Sequence, residues 1–69
     1  MSRFLKKKTV YELDIVLFRK TRRLHEITQK ELAGKIGMPT SFLCDIERGN
    51  KKPNPKTAIK MAAHLERLI

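Results

Sequence analysis

The chain has 69 residues, of which 16 are Lys or Arg and 7 are Asp or Glu, so its formal net charge is +9. This length predicts a single small domain, and the single cysteine, Cys44, excludes a disulfide framework and is typical of a reducing, cytoplasmic compartment. The excess of cations favours a polyanionic partner, and nucleic acid is the first candidate.

The N-terminal region predicts an arm followed by a first helix. Residues 1–8 are rich in Lys and show no apolar period, which is typical of a basic, flexible arm. Thr9 is the expected cap of a helix over residues 10 to about 24, where apolar residues recur at helical spacing. Its inner strip is expected to contain Leu13, Leu17 and Leu24.

A second helix is indicated by its start and stop signals. Thr28 and Glu31 have the spacing of a capping box, in which each side chain bonds the backbone N–H of the other, so this helix begins at Gln29. Gly37 is expected to end it in a left-handed conformation. The inward positions are Leu32, Ala33 and Ile36.

Two further helices follow at short intervals. The third is expected over residues 40–48, after Pro39, with Leu43 and Ile46 inward. The pair Asn54 and Pro55 is a helix start, with a cap followed by proline at the first helical position, and predicts a fourth helix. No segment predicts a strand. The expected fold is therefore an all-α domain of four to five helices over residues 9–69.

The second and third helices are expected to lie close together, because Ala33 is small and Gly37 allows a sharp turn; this is the helix-turn-helix geometry. The segments "ITQKELAGKIG" and "SFLCDIERG", with the proline-containing loop that follows, resemble the Cro/C1-type, lambda-repressor-like helix-turn-helix family over residues 13–65. The resemblance implies a sequence-specific transcriptional regulator that binds double-stranded DNA, as small repressors of phages and mobile elements do. An antitoxin that also binds a toxin and an architectural or excision factor remain alternatives.

The resemblance also implies roles for individual residues. Base-edge contacts are expected from exposed positions of the third helix, which are Thr40, Ser41 and Asp45. Phosphate contacts are expected from the start of the second helix and from the loop after the third, at Gln29, Arg48, Asn50, Lys51, Lys52 and Lys56. Arg22 and Glu47 are expected to form an ion pair between the first and third helices. The alternative for Asp45 is a surface pair with Arg48 or Lys51.

Three positions depart from the family pattern. Pro39 replaces the usual Ser or Thr cap, so the third helix is expected to start one residue late, with Thr40 as its cap. Thr21 replaces a leucine of the first helix. Glu26 replaces a glycine, so the corner after that helix is expected to be built differently.

Other function classes find little support in the residues. Cys44, His25 and His64 are the candidates for nucleophile and base, yet they fall on different predicted helices and lack metal-ligand spacing. We therefore expect no enzyme, no metal and no cofactor. Binding to a membrane surface would need the apolar positions of the first helix, which the core requires.

The number of copies on DNA is a separate question. One short recognition helix contacts few bases, so we expect two copies, weakly associated, on a two-fold symmetric site at the nucleoid. The candidate contact surfaces are the C-terminal residues Leu65, Leu68 and Ile69 and the outer strip of the first helix near Val16. These surfaces also leave room for a different protein partner.

Overall fold

The structure, a computed structural model, describes residues 2–7 and 9–69. In these ranges two short strands precede four helices: β1 (Leu5–Lys7), β2 (Tyr11–Leu13), α1 (Ile15–Leu24), α2 (Gln29–Ile36), α3 (Thr40–Glu47) and α4 (Pro55–Leu68). Within the same ranges, no helix has the length and apolar character needed to cross a membrane.

The two strands correct the all-α prediction. β1 and β2 pair antiparallel, with Leu5 opposite Leu13 and Lys7 opposite Tyr11. Leu5–Lys7 is thus a strand, although it was expected to be part of a flexible arm; Met1 and Lys8 of that arm lie outside the described residues. The hairpin is held in place from its base, because Phe4 is fully buried.

One core contains side chains from the N-terminal segment and from all four helices. The Phe4 ring meets the Phe18 ring of α1 edge-on, with ring centroids 6.0 Å apart and planes at 78°. The buried cluster consists of Phe4, Phe18, Ile27, Leu32, Ala33, Ile36, Leu43, Ile46, Met61, Ala62 and Leu65. The N-terminal segment therefore completes the core.

The first helix begins later than its periodicity predicts. Asp14 is the N-cap of α1, and its carboxylate accepts the Leu17 N–H at 3.2 Å, so Thr9 is not the cap. The buried strip of α1 also differs, because it consists of Phe18, Thr21 and Arg22. Leu24, expected inside, has 72% of its surface exposed. The buried strip is rotated because Arg22 points inward to a carboxylate.

The signals for α2 and α4 are confirmed. Both halves of the Thr28–Glu31 capping box are present, and Gly37 ends α2 in a left-handed conformation with φ 88°. Asn54 caps α4 by accepting the Thr57 N–H at 2.8 Å. These ends depend on contacts within a few residues, which is why the sequence predicts them.

The start of α3 differs from the prediction. Pro39 is the N-cap and provides no side-chain cap, so Thr40 is the first helical residue and not the cap. The Pro39 carbonyl accepts the N–H groups of Phe42 at 3.1 Å and Leu43 at 3.3 Å. The Thr40 side chain is therefore not needed to cap the helix.

The corner between α1 and α2 contains a strained residue. Glu26 has φ 55°, and its N–H donates to the Arg23 carbonyl at 3.0 Å. The left-handed conformation destabilises a residue with a Cβ by about 1–2 kcal/mol, and glycine avoids this strain. Glycine also loses more conformational entropy on folding, which offsets part of the gain. We expect Glu26→Gly to raise the free energy of unfolding by about 0.5–1 kcal/mol.

Urea denaturation followed by circular dichroism measures this change. Glu26→Ala is the matched control, because it removes the same charge and keeps the Cβ. If the alanine variant gains as much stability as the glycine variant, the gain comes from the charge and not from the backbone.

Candidate nucleic-acid interface

α2 and α3 form a tight helical pair. Only residues 37–39 separate them. The Ala33 carbonyl accepts the N–H groups of both Gly37, at 2.8 Å, and Met38, at 3.0 Å, which closes the end of α2. Ala33 itself is 1% exposed and lies between the helices and the core. This arrangement is a helix-turn-helix, with α3 as its second, outer helix.

A buried ion pair joins α3 to α1. The Arg22 guanidinium donates to both carboxylate oxygens of Glu47, from Nε at 2.7 Å and from Nη2 at 2.8 Å. Its Nη1 donates to the Ile27 carbonyl at 2.7 Å. The Arg22 and Glu47 side chains are only 8% and 1% exposed. The structure thus contains the expected pair, and it fixes the orientation of α3 relative to α1.

Gln29 adds a third contact to this pair. Its side-chain Nε2 donates to Glu47 Oε1 at 2.9 Å, so the amide donor faces the protein interior. The first backbone N–H groups of α2 have no acceptor within the helix, so they can donate to a phosphate at this position. The N-terminus of α2 also carries a partial positive charge.

The exposed side of α3 presents polar groups. Thr40 and Ser41 are exposed, and Asp45 is partly exposed. The Asp45 carboxylate lies 3.6 Å from Lys51 Nζ, and its backbone carbonyl accepts the N–H groups of Asn50 and Lys51. The surface pair considered for Asp45 is therefore present, with Lys51 as the partner.

The loop after α3 carries the expected cations. Arg48 is the C-cap of α3, and the exposed polar residues of the loop include Asn50, Lys51 and Lys52; Lys56, expected in the loop, lies in the first turn of α4. Lys51 Nζ also lies 5.3 Å from the centroid of the Phe42 ring, which together with Asp45 positions its side chain. Exposed cations therefore lie around the outer end of α3, and Lys51 is the one among them that pairs with Asp45.

Three residues of this surface are not among the site residues that the sequence predicts. Arg19, Arg23 and Cys44 line a groove of about 480 Å³ between α1, the start of α2 and the end of α3. The four-residue spacing of Arg19 and Arg23 was the available signal, because it places both on one side of a helix. Among the described residues, no group of three His, Cys, Asp or Glu side chains could hold a metal ion.

Comparisons with known proteins agree with this geometry. A family model described as helix-turn-helix matches residues 18–67, which is more than half of the chain. The chain belongs to this helix-turn-helix family.

One curated relative is an uncharacterized HTH-type transcriptional regulator from Methanocaldococcus jannaschii. It is 42% identical over 41 residues, which are 59% of this chain and 62% of the relative. The matched part of the chain thus spans less than two thirds of the relative's length. No solved structure matches the chain significantly.

Proposed function

We propose that this protein is a sequence-specific transcriptional regulator that binds double-stranded DNA and places α3 in the major groove. The observation that carries the proposal is the outer helix of a helix-turn-helix, held rigidly by the Arg22–Glu47 pair and presenting exposed polar side chains. The net charge of +9 supplies the attraction to a polyanion. The helix-turn-helix architecture suits a repressor.

Base reading is assigned to Thr40, Ser41 and Asp45. The two hydroxyl groups can donate to or accept from base edges. The Asp45 carboxylate can accept a hydrogen bond from the N4 amino group of cytosine, which is the contact acidic side chains make in the major groove. In that case Lys51 releases the carboxylate and turns to the backbone.

Phosphate binding is assigned to the loop after α3 and to the start of α2. The loop contributes Arg48, Asn50, Lys51 and Lys52, and Lys56, which the sequence placed in the loop, contributes from the first turn of α4. The α2 terminus contributes backbone N–H groups, beginning at Gln29. Such contacts position a protein on the duplex, while base contacts give it specificity.

Two copies bound to one site would together contact enough base pairs for specificity, although each α3 is short. α3 has 8 residues, so one copy contacts few base pairs. Val16 is 77% exposed, and Leu68 and Ile69 are each 39% exposed, so these residues can contact a second copy. Leu65 has no exposed surface and is not available for this contact.

Selection from a pool of random duplexes tests the proposal. We expect enrichment of a two-fold symmetric sequence with half-sites about one helical turn apart, because each α3 reads one half-site. Ser41→Ala should change the preference at one position of each half-site. Arg67→Ala, on the exposed side of α4, is the control and should leave the preference unchanged.

The possible results separate the parts of the proposal. Enrichment of a single asymmetric half-site, bound by one molecule, would contradict the two-copy arrangement. A protein that enriches no sequence and binds no duplex would contradict the proposed function itself.

A further inference from the structure

The groove between α1, the start of α2 and the end of α3 carries charge that no internal contact uses. Arg19, Arg23 and Arg48 line it; all three are exposed, and none of their guanidinium groups has a hydrogen-bond or ion-pair partner among the described residues. We call these three residues the arginine triplet. They gather on one concave surface although they come from two helices that are distant in sequence.

The charge of the groove is positive overall. Glu47 is the one acid among its lining residues. Both of its carboxylate oxygens already accept from Arg22, and Gln29 also donates to one of them. The carboxylate is therefore neutralised internally, and the arginine triplet leaves the groove with an excess of three positive charges.

Two acids near the groove are bonded to groups outside the arginine triplet. Glu31 is bonded within the capping box of α2, and Asp45 is paired with Lys51. An ordinary solvated helix face would carry cations alternating with acids. Here three cations share one concavity, and the one acid that lines it is paired with Arg22.

The start of α2 provides a second, independent attraction for an anion. Thr28 and Gln29 line the same groove. The N–H groups of Gln29 and Lys30 have no acceptor within the helix, and those of Glu31 and Leu32 bond to Thr28. Free N–H groups and the partial positive charge of a helix terminus together bind phosphate groups.

Guanidinium groups bind phosphate oxygens with two parallel hydrogen bonds, which makes them suited to a phosphodiester. We propose that the arginine triplet, with the N-terminus of α2, binds a phosphate of the DNA backbone beside the α3 contact. The new assignment is that Arg19 and Arg23 of α1 are DNA-binding residues. This inference rests on the proposed function, because it identifies how the same partner is bound.

The geometry gives this contact a definite role. The groove lies against Cys44 and Glu47 of α3, whereas Asp45 pairs with Lys51 in the loop that follows α3. Asn50, Lys51 and Lys52 of the loop and the arginine triplet can thus bind backbone phosphates at separate places around α3. Contacts at two places would fix the angle at which α3 enters the major groove.

The salt dependence of binding to a random-sequence duplex, measured by fluorescence anisotropy, tests the assignment. The variants are Arg19→Gln, Arg23→Gln and the double variant. Each phosphate contact adds roughly 0.9 to the slope of log affinity against log salt, so we expect the double variant to lose about 1–2 units of slope. Lys20→Gln and Arg67→Gln remove the same charge outside the groove and should lose clearly less.

The outcomes distinguish the inference from the function it rests on. If wild type binds with a steep slope and the double variant matches the two control variants, Arg19 and Arg23 act only through net charge and the inference is overturned. If wild type binds no duplex, the proposed function fails, and the inference fails with it. Melting curves of all variants show whether the fold is unchanged, which is expected because the replaced side chains are exposed.

Discussion

Glu47→Ala is expected to bring the domain close to unfolding at room temperature. The substitution leaves the Arg22 guanidinium buried with only the Ile27 carbonyl as a partner. Removing one member of a buried ion pair costs about 3–5 kcal/mol, because the other charge remains without compensation. A domain of 69 residues has a total stability of about 3–10 kcal/mol, so the loss is a large part of it.

Urea and thermal denaturation followed by circular dichroism measure this loss. Glu66→Ala is the matched control, since Glu66 is exposed and only accepts a hydrogen bond from Ser2. The double variant Arg22→Met/Glu47→Leu should recover much of the stability, because it removes both charges and retains apolar volume. An unchanged melting curve for Glu47→Ala would mean that the pair is absent or solvated in solution.

Phe4→Ala is expected to cost a similar amount. Phe4 has no exposed surface and packs edge-on against Phe18. Replacing a buried phenylalanine by alanine costs about 3–5 kcal/mol, through lost apolar burial and the cavity that remains. The expected result is a large drop in both the melting temperature and the urea midpoint.

Lys7→Ala is the comparison for this substitution. Lys7 lies in β1 and is exposed, so its replacement should change stability by no more than about 0.5 kcal/mol. If Phe4→Ala is equally mild, the N-terminal segment does not complete the core in solution. That result would restore the flexible arm that the sequence predicts.

The parts of the fold that the sequence predicts well are those set by local interactions. The capping box at Thr28, the left-handed Gly37 and the Asn54 cap each depend on a few neighbouring residues. The start of α1 could have been predicted from local sequence too, because Asp14 precedes an apolar helical pattern and is a good N-cap. The earlier Thr9 seemed the cap only because the apolar residues of β2 extended the pattern.

The hairpin could not be predicted because its stability comes from distant residues. Each strand has three residues, which is too short for a reliable alternation, and β1 contains two lysines. The strands are held by the burial of Phe4 and by packing against α4, and neither contact is visible in local sequence. The prediction that Leu24 is buried was wrong because of another distant contact. Arg22 turns inward toward Glu47, and this rotates the buried strip of α1 away from Leu24.

In the candidate site, too, features set by nearby residues are predicted from the sequence, and features set by distant residues are not. The family resemblance implies that Thr40, Ser41 and Asp45 are exposed on α3; the first two are exposed and Asp45 is partly exposed. The direction of the Gln29 side chain depends on Glu47, which is 18 residues away in sequence, so the sequence could not predict that its amide faces inward. The groove that contains Arg19 and Arg23 likewise forms only when α1, α2 and α3 are assembled.

The packing of the N-terminal hairpin on the last helix has a consequence for folding during synthesis. Ser2 Oγ donates to Glu66 Oε1 at 2.9 Å, across a separation of 64 residues, and the hairpin packs on α4. Contacts so distant in sequence slow the folding of a small domain, because the chain between them must be ordered first. On the ribosome, the hairpin lacks the α4 part of its packing surface until that helix has left the exit tunnel. The helix-turn-helix at residues 29–47 is therefore synthesised well before the core that stabilises it can close.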